Sequence, residues 1–344
     1  MTARPVPARE ALLAIVDRFR GRTVAVIGDL VLDEYWVGRS SRISREAPVL
    51  ILEHEGDRHV PGGAANAAMN VSSLGGAPLV VGRLGGDTAG KALASALRSS
   101  GLPTGWLFKD ESGGTIVKTR ILAGSSHAAR QQIVRLDRGH TERPSKAAER
   151  KLARAGRSAI RRAKAVLLSD YGYGVLSPAL RRAAIADARR AGIPIVVDSR
   201  YDLASYRGAT LLTPNEHEVL DAMHLPSLSA SVLKRAGESL VNGGGARAVW
   251  ITRGSDGMLL FERGARPRGL SIVGSSDVAD VTGAGDAVSA TASLALAAGA
   301  SQIEAAMLAT YAASVVVMKR GTATVSREEL REAIRLEKAP RVSG

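Results

Sequence analysis

TVAVIGDLVLDEYW, residues 23–36, begins with six uncharged residues, Thr23 to Gly28, that are small or β-branched on both faces of an extended chain. Such a run fits a parallel strand covered by helices on both sides, since only a sheet of that kind hides both of its faces. Asp29 follows the run at once and Asp33 comes four residues later, so two acids stand just past the carboxyl end of the strand. Similar runs recur as PLVVG at 78, AVLLS at 165, PIVVD at 194, ATLLT at 209 and AVWIT at 248. Stretches of helical period lie between them, among others 87–100, 145–162, 177–191 and 283–299. This alternation predicts an α/β fold with a doubly wound sheet covered by helices, in which ligands bind at the carboxyl ends of the strands.

Two segments interrupt the alternation. Residues 33–60 and 111–137 read as strands with no helix between them, and predict a small β-sheet inserted in an otherwise single domain spanning 1–344. Such a sheet either forms a lid over the carboxyl edge of the main one or serves as an edge hairpin with structural or dimerising work. The last residues, KAPRVSG, read as a frayed tail.

Composition excludes several classes. With 45% hydrophobic residues over 344 positions, disordered and fibrous chains are ruled out. No run of about 18 apolar residues exists and the N-terminus lacks an apolar signal region, so no membrane partner and a cytoplasmic location are expected. The absence of cysteine removes disulfides, thiolate catalysis and Cys-based zinc sites. A net charge of +14 raises the question of nucleic acid. Its densest patches, 154–164 and 181–190, alternate charge with apolar residues at helical period and read as solvated helix faces. Aromatics are only 3%, too few for a base-stacking platform, so no nucleic-acid partner is expected, whereas anionic small substrates would be attracted.

The chemistry concentrates in glycine-rich segments. DVTGAGDAVSA, 280–290, puts Gly283, Ala284 and Gly285 at a helix start, where free backbone N–H groups and the helix dipole favour an anion. Asp286 lies in the same first turn, either as a base beside that cradle or as a plain helix cap. PGGAANAAMNVSSLGG, 61–76, opens another helix with Asn66 and Asn70 one turn apart, which suits either hydroxyl recognition or close helix packing. TPNEHE carries Asn215 and Glu218 at a strand-to-helix junction, fitting water-mediated Mg²⁺ coordination or a capping box. TRGSDG, 252–257, supplies Thr252, Gly254 and Gly257 to a turn that either holds nucleotide phosphates or only closes a hairpin. Neither a P-loop nor a strand-linked G-x-G-x-x-G motif is present.

Taken in chain order, Gly-Gly-Ala-Ala-Asn at 62–66, Asn-x-x-Glu at 215–218, Thr-Arg-Gly at 252–254 and Asp-Val-Thr-Gly-Ala-Gly-Asp at 280–286 resemble the ribokinase, or PfkB, family of carbohydrate kinases. The resemblance covers roughly residues 22–326. Within the family it is strongest to the kinases of D-glycero-D-manno-heptose 7-phosphate, through GDLVLDEYWVGRSSRISREAPV, QQIVRLD, LLSDYGYGVL and YRGATLLTPNE. It implies a ribokinase-like fold with a β-lid, ATP and Mg²⁺ as cofactors, and phosphorylation of the heptose at O1.

By the same resemblance Asp286 is the base that deprotonates the sugar hydroxyl, and Gly283, Ala284 and Gly285 form the anion hole. Asn215 and Glu218 position Mg²⁺ and phosphates, Glu218 through water. Thr252, Gly254, Gly257 and Thr282 line the nucleotide site, with Thr310 where the family often has an asparagine near the adenine. Asp29, Gly62, Gly63 and Asn66 grip the sugar, with Asp33, Lys118, Gln132 and Arg135 contributing from the lid side. Asp280 lies where relatives often bind a monovalent cation such as K⁺, and lids pair into a homodimer in many of them.

Two departures bear on the substrate. The heptose kinases usually read Asp-Tyr-x-Lys-Gly where this chain has Asp170, Tyr171, Gly172, Tyr173 and Gly174, and Asp-Pro-Lys-Gly where it has Asp198, Ser199, Arg200 and Tyr201. Arg200 keeps a positive charge and Tyr173 does not. Another sugar or sugar phosphate is therefore the alternative substrate. A non-catalytic sugar-binding protein is the alternative of another class, opposed by the intact Asp286 and its glycines. With 344 residues there is no room for the nucleotidyltransferase domain of bifunctional relatives, so kinase activity alone is expected.

Overall fold

In the computed structural model, which describes residues 7–111, 113–124, 130–139, 144–225, 227–274 and 278–343, the run that opens the alternation forms β1 (Thr23–Gly28). Its side chains feed two apolar cores in turn, Val24 and Val26 on one face and Ala25 and Ile27 on the other. After β1 the chain leaves the main sheet as β2 (Leu30–Ile43) and β3 (Leu50–Gly63), then rejoins it as β4 (Ala77–Gly85) and β5 (Leu107–Asp110). β6 (Ile116–Gly124) and β7 (Gln131–Arg138) complete the small sheet. The remaining strands all belong to the large one: β8 (Ala165–Asp170), β9 (Ile195–Ser199), β10 (Leu211–Leu212), β11 (Ala248–Thr252), β12 (Met258–Glu262), β13 (Arg268–Leu270) and β14 (Val342–Ser343).

The large sheet runs in the order β14-β13-β12-β11-β10-β9-β8-β1-β4-β5. It is parallel from β5 to β11 and antiparallel from β11 to β14. From β1 the chain first builds outward to β4 and β5 and later returns to β8 and beyond, so the strand order reverses at β1 and β8. A crevice opens at the carboxyl ends of strands where the order reverses, and the site lies there.

One face of the sheet is covered by α1 (Arg9–Asp17), α2 (Ala64–Ser73), α3 (Thr88–Ser99) and the later α8 to α10; the other by α4 (Lys146–Ile160), α5 (Pro178–Arg190), α6 (Glu216–Ala222) and α7 (Ala230–Asn242). α8 (Ala284–Ala297) and α9 (Gln302–Val316) are alanine-rich and apolar almost all round, as buried helices are, whereas α10 (Arg327–Leu336) buries one stripe, Leu330, Ala333 and Ile334. The helix starts follow their sequence signals. Ser145 caps α4, Ser177 precedes Pro178 at the head of α5, and Ser301/Glu304 and Ser326/Glu329 form capping boxes on α9 and α10.

The small sheet is the predicted one, in the order β3-β2-β6-β7, with β2 and β6 parallel and the other pairs antiparallel. Residues 125–129 of the second predicted lid segment, and residue 112, lie outside the described residues. The six runs named from the sequence are the parallel strands β1, β4, β8, β9, β10 and β11, and the antiparallel edge grows from the β11–β12 hairpin. One expectation needs correction. The C-terminal stretch is not a frayed tail, because Val342 and Ser343 pair with Leu270 and Gly269 and close that edge. No helix among the described residues is long and apolar enough to cross a membrane.

Candidate active site

Gly283 starts α8 in the left-handed region at φ 84°, and a Cβ there would come within 2.8 Å of the Asn66 side-chain nitrogen. Glycine is thus required by backbone and neighbour alike, and the turn it makes sets Asp286 into the first turn of the helix. Asp286 is 4% exposed. Its carboxylate caps nothing: Oδ2 accepts from Asn66 Nδ2 at 2.7 Å and Oδ1 from the Tyr171 hydroxyl at 2.9 Å. The reading of Asp286 as a plain helix cap is thereby excluded. Asn70 steadies the arrangement from one turn further along α2, donating to the Asn66 carbonyl and accepting from the Val325 amide.

Burial, and then the charge of Asp198, raises the Asp286 pKa to about 7, against the two hydrogen bonds that pull it down. Asp198, at the carboxyl end of β9, is pushed up as well, first by burial and then by Glu218. A buried carboxylate near neutrality, held by fixed donors beside an anion-binding helix start, is suited to take a proton at ordinary pH.

These groups line a cavity of about 270 Å³ between the carboxyl edge of the main sheet and the small sheet, which covers it as a lid. Gly63, Thr252, Thr282, Gly283, Gly285, Asn215 and Glu218 face it from the body, with Asp33, Lys118 and Arg135 from the lid. The cavity therefore gathers most of the predicted site. Asn215 and Glu218 do form the capping box of α6, each holding the other's backbone N–H at 2.8 Å, yet both also line the cavity. Burial raises the Glu218 pKa.

The lid register explains the cationic wall. Lys118 stands opposite Asp137 and Arg120 opposite Arg135, and Asp33 is the partner of Lys118 on β2, so one lid face carries all five. Arg120 Nη1 donates to Asp33 Oδ1 at 2.5 Å, and Thr322 donates to Oδ2 at 2.7 Å. Gly62 lies behind that carboxylate, where a Cβ would reach within 2.3 Å of Oδ2. Arg135 makes a two-point contact with Asp137 at 2.9 and 3.1 Å. Lys118 is 5% exposed and its pKa falls to about 8, through burial first and then the neighbouring Arg200.

Several predicted residues are placed elsewhere. Asp29 is 1% exposed and sits beneath the cavity: its carboxylate accepts from the backbone N–H groups of Tyr171, Tyr173 and Val175 at 2.9 to 3.1 Å. It holds the 171–175 loop and is not among the residues that line the cavity. Gln132 shares the lid face of Arg135, because a bulge restores the alternation, but stands one pair further out and does not line the cavity. Gly254 and Gly257 shape the turn of the β11–β12 hairpin. The Thr310 hydroxyl donates to Ala306 within α9. Asp280 accepts from the Thr282 and Gly321 amides at 2.9 Å; partial burial opposes its charge, but Thr282, Gly321 and Arg120 outweigh that and hold its pKa below the usual range.

Seven lining residues lie outside the expected site: Arg120, Tyr171, Asp198, Arg200, Thr213, Val281 and Thr322. Tyr171 donates to the proposed base, Asp198 sits beside it, and Arg120 and Arg200 add to the positive wall. The Arg200 guanidinium lies 4.5 Å from the centre of the Tyr171 ring, and the Lys118 ammonium 4.9 Å from that ring and 5.7 Å from the Tyr173 ring. Tyr171, Asp198 and Arg200 stand at the ends of β8 and β9, in the two segments that depart from the heptose-kinase pattern, whereas Arg120 lies inside β6 and carries no such signal. Tyr173, which occupies the place of a lysine in the heptose kinases, thus stacks under a lysine from the lid.

Residues 22–329 match the sequence model of the pfkB family carbohydrate kinase. The chain is 41% identical over 318 residues to a protein named bifunctional protein HldE in Gluconobacter oxydans (strain 621H), and 42% identical over 313 residues to one of the same name in Azorhizobium caulinodans. The match covers 92% and 90% of this chain but 65% and 64% of those relatives, so the chain spans just under two thirds of their length. Among solved structures, the ribokinase of Arabidopsis thaliana, complexed with ribose and ATP, superposes with a TM-score of 0.70 at 22% identity, covering 92% of this chain and 99% of that one. Phosphofructokinase-2 of Escherichia coli in complex with potassium superposes at 0.72 and 19% identity, over 92% and 98%.

Proposed function

The chain belongs to the pfkB family of carbohydrate kinases, and from that premise we propose that it transfers the terminal phosphoryl group of ATP to O1 of D-glycero-D-manno-heptose 7-phosphate, giving the 1,7-bisphosphate. The observation that carries the proposal is one cavity in which a buried base near neutrality, Asp286, faces Lys118, Arg120, Arg135 and Arg200. Arg120 and Arg135 are paired with Asp33 and Asp137, but Lys118 and Arg200 make no ion pair among the described residues, and a sugar phosphate would supply their counterion where a neutral sugar would not.

In this reading Asp286 accepts the proton of the sugar hydroxyl, with Asn66 and Tyr171 fixing its orientation. The backbone at Gly283, Ala284 and Gly285 stabilises the charge that develops on the transferring group. The lid shuts out water that would otherwise accept the phosphoryl group. ATP would lie along Thr252, Gly254, Gly257 and Thr282. Asn215, Glu218 and Asp198 offer an all-oxygen donor set in one cavity, which fits Mg²⁺, and with phosphates they would hold it. Bound there, the ion neutralises phosphate charge. Asp280, kept ionised by its two amide donors, suits a monovalent cation such as K⁺.

The exchange of lysine for Tyr173 favours one second reading, a kinase of a different phosphorylated sugar with its phosphate placed nearer Lys118 and Arg200. ADP release measured over a panel of heptoses, hexoses and pentoses, each with and without a terminal phosphate, tests both. The heptose 7-phosphate is expected to give the highest kcat/KM. A preference for another sugar phosphate would leave the second reading, and a preference for an unphosphorylated sugar would overturn both.

A further inference from the structure

A second cavity, of about 440 Å³, lies at the start of β10 and β11, the edge of the sheet opposite the active site, and is lined by Arg189, Arg207, Gly208, Asn242, Gly245, Arg247 and Arg263. Its lining holds four guanidinium groups and no carboxylate. Two of them are fixed by the end of α7: Arg207 donates to the Gly243 carbonyl, and Arg263 to those of Val241 and Ala246. The side chains of Arg189 and Arg247 have no hydrogen bond or ion pair among the described residues. The acids adjacent to two of these arginines in sequence are already engaged, Asp187 with Arg157 and Arg190, and Glu262 with Arg268.

Four like charges converging on one concavity repel each other, and a bound anion relieves that repulsion. A guanidinium presents a planar fork that matches phosphate oxygens at two points. The volume falls within the range of small-ligand pockets and the wall is concave; its four arginines are exposed, and Arg189 belongs to α5. We infer that this cavity binds a small molecule carrying two or more linked phosphates, separately from catalysis.

Isothermal titration of the full chain with inorganic tripolyphosphate, in about 0.15 M salt so that loose surface attraction is screened, tests the inference. Arg189→Ser/Arg247→Ser removes the two guanidinium groups that make no hydrogen bond or ion pair among the described residues, so a melting temperature near that of the wild type is expected without ligand. This variant should lose about tenfold or more in affinity, since two charge-assisted contacts go. Lys118→Met/Arg200→Ser, which alters the catalytic cavity, should keep one tripolyphosphate site of wild-type affinity. Arg247→Gln alone serves as the milder variant, with a smaller loss in the same direction. Equal affinity in wild type and Arg189→Ser/Arg247→Ser, loss of all binding in Lys118→Met/Arg200→Ser, or no binding of tripolyphosphate at all would overturn the inference. So would tight binding of a single-stranded oligonucleotide that tripolyphosphate fails to displace.

Discussion

At the scale of single residues, the proposed reaction depends on where the Asp286 proton equilibrium lies. A general base contributes about 10²–10⁴-fold to a rate, so Asp286→Asn is expected to lower kcat by that factor while the Kd for ATP, read by fluorescence titration, stays within a few-fold. The base works only when deprotonated. With its pKa raised to about 7, kcat/KM should fall about tenfold per pH unit below that value, and above about 8 loss of the Lys118 charge should bring it down again. Tyr171→Phe tests the cause. Its hydroxyl stabilises the ionised carboxylate, so removing it should move the acid limb to higher pH, by about one unit for a hydrogen bond to a charged group. An unmoved limb would place the observed titration on another group. Sequence alone singles out Asp286 as the candidate base, because it adjoins the glycines that shape its turn. Tyr171 and Asp198 were hidden, because strands that are distant in sequence bring them to the base. Asp29 was visible, but its purpose was not: an acid past a strand end looks the same whether it meets a ligand or three backbone amides.

At the scale of elements, the glycine at the head of α8 joins fold to function. Gly283→Ala forces a side chain into the left-handed region, which costs about 1–2 kcal/mol, and sets its Cβ against the side-chain nitrogen that orients Asp286. Stability by urea unfolding is therefore expected to drop by about that amount at constant m, with a fall in kcat from the displaced Asn66. A variant with wild-type stability and turnover would show that the turn has a relaxed alternative. The elements read most easily from sequence were β1, β8, β9 and β11, since burial on both faces leaves an uninterrupted apolar run. β14 escaped notice because Val342 and Ser343 have no such pattern; they become a strand only because β13 offers an unpaired edge. The capping box of α6 shows a related ambiguity. In sequence Asn215 and Glu218 fit either water-mediated Mg²⁺ coordination or a capping box; the helix start makes them the capping box and also leaves both lining the cavity.

At the scale of the whole molecule, the lid has two unlike faces. The alternation that turns Lys118, Arg120 and Asp33 towards the cavity turns the intervening residues outward, where Trp36, Ile121 and Val134 stand in one cross-strand row and Leu136 lies opposite Thr119 in the next. Trp36 is 37% exposed, and Val134 and Leu136 about half. Adjacent exposed apolar side chains on a sheet are unfavourable in water and mark a surface that pairs with another protein. The lid was legible as a separate sheet because two segments lacked helices. Its two-sidedness was harder to read, since the bulge at Ile121 and Leu122 shifts the alternation in β7 by one residue. A second copy of the chain, applying the same face, is the partner we expect. Light scattering after size exclusion should give twice the mass of the chain, and Val134→Lys/Leu136→Lys, which charges the outer face without touching the inner one, should return it to the monomer. Because the inner face then loses the support of its partner sheet, KM for the phosphorylated sugar is expected to rise more than KM for ATP. A wild-type monomer at micromolar concentration, or a dimer that survives the two lysines, would show that the apolar row is not the interface.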